Sequence, residues 1–132
     1  MRYFVPFLFV GLLACNNKPV KTTISTFEKY PENFEGSSGC FYSLNEKDWK
    51  ENRYIFVQGE TEACILLNGN FVRFPDSMNM ETNYYRNDRY EIEIQVHDDG
   101  MIYDSYILKG TLKVKDKNGD TLQREIFGNC GC

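Results

Sequence analysis

Residues 62–74 read EACILLNGNFVRF, and this stretch decides the fold because it specifies a β-hairpin. Asn68 and Gly69 form a dipeptide favoured in the two-residue type I′ turn, where both positions need a positive φ angle. Folding about that turn sets Ile65 opposite Val72, so the apolar side chains share one face. The opposite face also carries apolar side chains, namely Cys64, Leu66 and Phe71. The hairpin is therefore expected to be covered on both sides or to twist into a closed sheet.

Downstream, residues 90–97 alternate apolar and polar side chains, which is typical of a half-buried strand. Continuity of the apolar face favours a three-residue loop at residues 98–100, because that loop sets Val96 opposite Ile102. The same reasoning places the next hairpin loop at residues 117–119. The C-terminal half is thus predicted to be a series of antiparallel hairpins.

Upstream of the first hairpin, residues 40–44 and 53–58 form two further short apolar runs. Asn45 between them, followed by acidic residues, predicts one short helical turn with Asn45 as its N-cap. Short apolar runs separated by turn signals are typical of an all-β domain. We therefore expect a small antiparallel sandwich or barrel of about seven to eight strands over residues 40–132, with at most one short helical turn.

The chain begins MRYFVPFLFVGLLAC, in which one basic residue precedes a short apolar run, the layout of a secretory signal. GLLAC at residues 11–15 resembles the lipobox of bacterial lipoproteins. The resemblance implies a signal peptide over residues 1–14, lipidation of Cys15 and attachment to membrane lipid. Asn16 after the lipidated cysteine implies the bacterial outer membrane, with the protein periplasmic or surface-exposed.

Residues 15–39 separate this anchor from the predicted domain. They are mostly polar, contain prolines and show no sustained hydrophobic period, which favours a tether over a packed segment. Aromatic residues within 26–34 are the part of the tether that could dock onto the domain.

Four cysteines remain beyond Cys15, at positions 40, 64, 130 and 132. An even number in an exported domain predicts two disulfides, with three possible connectivities. A bridge between Cys130 and Cys132 would close a small strained ring. We therefore expect Cys40 and Cys64 each to reach one of the two C-terminal cysteines. An alternative interpretation uses the C-terminal Cys-Gly-Cys for thiol redox chemistry or metal binding.

The net charge of the chain and the motifs it lacks argue against several classes of function. The net charge is -4 without a basic stripe, which argues against a nucleic-acid partner. The single histidine, His97, falls on the polar face of its predicted strand, and no nucleophile, phosphate loop or metal-ligand spacing accompanies it. The sequence thus predicts a non-catalytic binding or structural module without a cofactor.

The connection over residues 75–87 ends in Tyr84, Tyr85 and Arg86. Exposed aromatic and arginine side chains are favoured at interfaces, so these three residues are the predicted binding patch for a protein or glycan ligand.

A second resemblance concerns the start of the domain. SGCFY at residues 38–42, followed by Trp49 and Lys50, is similar to the Ser-Gly-x-x-Tyr and Trp-x-Lys-Gly segments of membrane-bound c-type lysozyme inhibitors. Those proteins are also small β-barrel lipoproteins. The resemblance implies lysozyme inhibition, with Ser38 and Tyr42 on the inhibitory loop, although the Lys-Gly pair is absent here.

Overall fold

The computed structural model describes residues 21–35, 39–59, 61–75 and 83–131. The elements within these ranges are β1 (Cys40–Ser43), α1 (Glu46–Lys50), β2 (Phe56–Gln58), β3 (Glu62–Leu67), β4 (Asn70–Pro75), β5 (Tyr84–Arg86), β6 (Tyr90–Ile102), β7 (Ser105–Asp116) and β8 (Thr121–Cys130). The predicted all-β class with one short helix is confirmed. The predicted signal peptide and Cys15 lie outside the described residues. Within the described part of the chain, no helix is long and apolar enough to cross a membrane.

The strands form one antiparallel sheet in the order β4-β3-β2-β1-β8-β7-β6-β5. Except for β4 and β5, strands consecutive in the chain are neighbours, and the first strand of the chain pairs with the last. The sheet curls into a nearly closed up-and-down barrel. The open seam lies between β4 and β5, where the rings of Phe74 and Tyr85 are 6.3 Å apart. Gly128 permits the closing contact, because a Cβ atom there would lie 2.1 Å from the carbonyl oxygen of Phe41.

Aromatic and aliphatic side chains fill the barrel interior. The largest side chains with less than 2 % exposure include Phe56, Phe74, Ile65, Leu112 and Val114. An eight-stranded barrel is just wide enough for side chains to fill, so this interior is a packed core. Ligand binding must therefore be sought on the outside or at the ends of the barrel.

The hairpin that decided the fold is confirmed. Asn68 and Gly69 form the turn with φ angles of 51° and 78°. Ile65 pairs with Val72, as the sequence predicts. The predicted loop at residues 117–119 is also confirmed, since the backbone N–H of Asp116 donates to the carbonyl of Asp120 at 3.0 Å across it.

The predicted turn at residues 98–100 is wrong. Strands β6 and β7 continue past it to a two-residue turn at Tyr103 and Asp104, whose φ angles are 50° and 62°. Val96 consequently pairs with Gly110, and the register shifts between Asp98 and Met101. A bulge there absorbs the extra residue, and the longer ladder satisfies more backbone hydrogen-bonding groups.

The N-terminal segment docks on the outside of the barrel. Ile24 bridges to Leu67, and Phe27 bridges to Tyr54. Phe27 and Phe34 are buried in a second apolar cluster that includes Val57 and Cys64. The predicted docking of residues 26–34 is thus observed. The outward face of β2 and β3 is apolar, and it would be exposed to water if the N-terminal segment did not cover it. This burial favours the docking.

One of the two predicted disulfides is present. Cys40 and Cys130 are bonded across the β1–β8 pair. Cys64 corrects the prediction, since its thiol is free and buried. Alternation along the strands explains the difference, because Cys40 belongs to the interior core whereas Cys64 packs in the outer cluster. Burial raises the pKa of Cys64 to about 12, so this thiol stays protonated at neutral pH. Cys132 lies outside the described residues.

The double substitution C40S/C130S should destabilise the protein, because the disulfide restrains residues 90 positions apart in the unfolded chain. The chain-entropy treatment gives a loss of about 4 to 5 kcal/mol for a loop of that length. Chemical denaturation of wild type and variant measures the difference in the free energy of unfolding. Equal stability of the double variant and the wild type would contradict the prediction.

Candidate binding groove

A groove of about 510 Å³ opens on the outer surface of the barrel at the β1–β8 pair. Its floor contains Phe41 from β1 and Asn129 from β8, which are direct cross-strand partners. Phe41 follows Cys40 by one position and Asn129 precedes Cys130 by one position, and alternation along the strands turns both side chains outward. The disulfide that closes the barrel therefore also fixes the floor of the groove.

Helix α1 forms one wall and supplies Trp49. The Asn45 side chain caps the helix by accepting the backbone N–H of Asp48 at 2.8 Å, which confirms the predicted N-cap. The Trp49 ring packs 5.5 Å from Phe127, and its Nε1–H donates to Oδ1 of Asn129 at 2.9 Å. These two contacts hold the indole in one orientation against the groove floor.

Residues that follow the helix form one end of the groove. The hydroxyl of Tyr54 donates to Oδ1 of Asn52 at 3.0 Å, and the Tyr54 ring lies 5.4 Å from Phe41. Asn52 adopts a φ angle of 57°, a left-handed conformation that asparagine tolerates better than most residues. Burial raises the pKa of Tyr54, so its hydroxyl stays neutral and keeps the proton that it donates.

The β6–β7 turn supplies the opposite wall through Tyr103, which is 80 % exposed. The Lys50 ammonium lies 5.8 Å from the centre of the Tyr103 ring, within cation–π range. Lys50 also pairs with Glu46 at 3.1 Å, so the only charged residue that lines the groove within the described chain is already neutralised. The groove combines aromatic rings with side-chain amides and carries little net charge.

The predicted binding patch is divided by the sheet. Tyr85 lies in the interior core, 2 % exposed, with its ring 4.9 Å from Phe56. Tyr84 and Arg86 are exposed on the outer face of β5. Burial raises the pKa of the Tyr85 hydroxyl, as expected for a core tyrosine. Neighbours in a strand point to opposite faces, so three consecutive residues do not form one contact surface.

A second surface depression contains His97 and Lys109, which are cross-strand partners on β6 and β7. Lys109 pairs with Asp99 at 2.8 Å, and this contact lowers the pKa of the Asp99 carboxyl and raises that of the Lys109 ammonium. Across the described ranges, no three His, Cys, Asp or Glu side chains are placed to hold a metal ion. The Lys109 ammonium of this depression is thus engaged in a surface ion pair.

The structure also places Tyr42 from the lysozyme-inhibitor resemblance and Cys130 from the C-terminal Cys-Gly-Cys. Tyr42, placed on an inhibitory loop by the second resemblance, is 2 % exposed inside the barrel, and Ser38 lies outside the described residues. Cys130 is bonded to Cys40, so it is not half of a C-terminal redox pair with Cys132. Comparisons of the chain with protein families, with curated proteins and with solved structures gave no match.

Sequence reasoning missed Tyr103 because it placed the turn a few residues too early. The sequence placed Trp49 near a helix start but gave it no partner. Its partner Asn129 comes next to the helix only when β8 pairs with β1. The one sequence signal for this groove was the lone tryptophan of the chain beside a predicted helix N-cap.

Tyr84 and Tyr85 offer a matched pair of substitutions. Tyr85→Ala should lower the free energy of unfolding by about 3 to 5 kcal/mol, the usual cost of removing a buried aromatic side chain. Tyr84→Ala should change it by less than about 0.5 kcal/mol, because that side chain is 43 % exposed. Denaturant titration measures both, and equal effects would contradict this placement of the two rings.

Proposed function

We propose that this protein is a non-catalytic binding module, exported and anchored to membrane lipid through Cys15 at the bacterial outer membrane, and that the aromatic groove is its ligand site. The observation that carries the binding role is the grouping of Phe41, Trp49, Tyr54 and Tyr103 around one concave surface. Concave sites lined by aromatic rings with a few polar groups are the usual form of ligand sites.

The groove is ordered before any ligand arrives. Hydrogen bonds fix Trp49 to Asn129 and Tyr54 to Asn52. A site whose side chains are already restrained loses less conformational entropy on binding, and this raises affinity. Tyr103 is the exception, since it projects from a turn and is largely exposed. We assign it the role of closing against the bound ligand.

The anchor rests on GLLAC at residues 11–15, which resembles the lipobox. Within the described residues, the first hydrogen bond from the N-terminal segment to the barrel is made by Thr23, whose backbone N–H donates to Oδ1 of Asn68 at 2.9 Å. Thr23 lies eight positions after Cys15, and an extended chain of that length spans at most about 30 Å. A lipidated Cys15 would therefore hold the barrel near the membrane surface, where it could meet ligands of the cell envelope.

Cys15→Ser should move the protein from the membrane fraction to the soluble fraction of the exported material, because it removes the acylated side chain. Detergent-phase partitioning and the intact mass of the full chain expressed in a lipoprotein-processing bacterium measure the change. Cys132→Ser, which leaves the lipobox intact, should partition like wild type. An unlipidated wild-type mass would contradict the anchor.

The binding role can be tested through Trp49, the single tryptophan of the chain. Emission should change saturably with at least one of three probes, namely neutral oligosaccharides, a proline-rich peptide and an apolar helical peptide. Tyr103→Ala should weaken the response about tenfold or more. Tyr106→Ala is the matched control, since Tyr106 is 64 % exposed on the same hairpin and does not line the groove. The absence of any response, or a response that Tyr103→Ala leaves intact, would refute the groove as a ligand site.

A further inference from the structure

We infer that the ligand of the aromatic groove is an uncharged carbohydrate, a short run of pyranose sugars. The inference rests on the proposed binding function and names the chemistry of its ligand. A pyranose ring has an apolar C–H face and a rim of hydroxyl groups that donate and accept hydrogen bonds. The groove presents the complement of both, because aromatic rings and side-chain amides line it together.

The amides are placed to receive hydroxyl groups. Oδ1 of Asn129 accepts from Trp49, and Oδ1 of Asn52 accepts from Tyr54. These bonds fix the two amide planes while using only one acceptor position on each. An amide also carries two N–H donors on Nδ2, and neither Nδ2 makes a hydrogen bond within the described part of the chain. Each amide thus offers donors beside an aromatic ring.

Charge argues for a neutral ligand. Lys50 is the one charged residue among those that line the groove in the described ranges, and Glu46 pairs with it at 3.1 Å. Its ammonium also lies over the Tyr103 ring. A strongly anionic ligand would have to compete with Glu46, and a cationic ligand would meet an ammonium group. A neutral sugar faces neither cost.

The backbone beneath the groove argues against an extended peptide that adds a strand. Strand β1 pairs with β2 on one side and with β8 on the other. Both edges of the floor strand are therefore occupied, and the peptide hydrogen bonds that drive strand addition are not available there. Recognition at this groove must proceed through side chains, which is how hydroxyl-rich ligands are bound.

The test uses the full chain in micelles of a zwitterionic detergent, because sugar-based detergents would compete. Maltohexaose, cellohexaose and the N-acetylglucosamine tetramer are titrated while Trp49 emission is recorded. Saturation-transfer NMR on each oligosaccharide detects binding that leaves the emission unchanged. At least one oligosaccharide should bind saturably. Tyr103→Ala should weaken that binding about tenfold, and Tyr106→Ala should leave it unchanged. Circular dichroism and thermal melting verify that both variants fold.

Three results would overturn the inference. If the proline-rich peptide binds in a Tyr103-dependent manner while no oligosaccharide does, the carbohydrate assignment fails and the binding function stands. If no probe binds, the carbohydrate assignment and the proposed binding function both fail. If an anionic oligosaccharide of uronic acids binds in a Tyr103-dependent manner while no neutral oligosaccharide does, the ligand is recognised by charge, and the neutral class is wrong. Binding of a neutral oligosaccharide that is weakened about tenfold in Tyr103→Ala supports the inference.

Discussion

The pairing of β1 with β8, locked by the Cys40–Cys130 disulfide, is the contact on which the rest of the structure depends. It joins the first strand of the chain to the last and so unites two four-stranded meanders, β1 to β4 and β5 to β8, in one sheet that curls into a nearly closed barrel. Gly128 allows the two backbones to approach closely enough for that pairing. The outer side of the same strand pair is the floor of the groove. The contact that closes the fold therefore also forms the site.

A barrel with apolar residues on its outer face has to cover them, and this requirement organises the surface. Residues docked before β1 cover the apolar surface of β2 and β3 through Phe27 and Phe34. Helix α1 covers part of the β8 surface through the contact of Trp49 with Phe127. Between these two covers, the rings of Phe41 and Tyr54 remain partly accessible. The groove is therefore the part of the outer apolar surface that the chain itself leaves open.

Local signals in the sequence predicted the elements that local chemistry controls. Asn68-Gly69 fixed a turn and its register, and Asn45 fixed a helix start, because each acts on its immediate neighbours. The β6–β7 turn was predicted at the wrong position because the prediction assumed unbroken alternation along both strands. A bulge in β6 shifts the register and breaks that alternation. Cys64 was assigned to a disulfide because an even number of cysteines in an exported domain predicts paired thiols, and a cysteine count does not show which thiols the fold brings together. The groove was not predictable, since its residues come from elements that meet only when the barrel closes.

The most direct test of this account is a non-reducing peptide map of the exported protein, alkylated once before and once after unfolding. The account predicts a linked pair of peptides that contain Cys40 and Cys130. It also predicts that Cys64 is alkylated only after unfolding, because its thiol is free and buried in the outer cluster. A disulfide that joins Cys64 to Cys130 would contradict the closure described here, and with it the position of Phe41 and Asn129 beneath the groove.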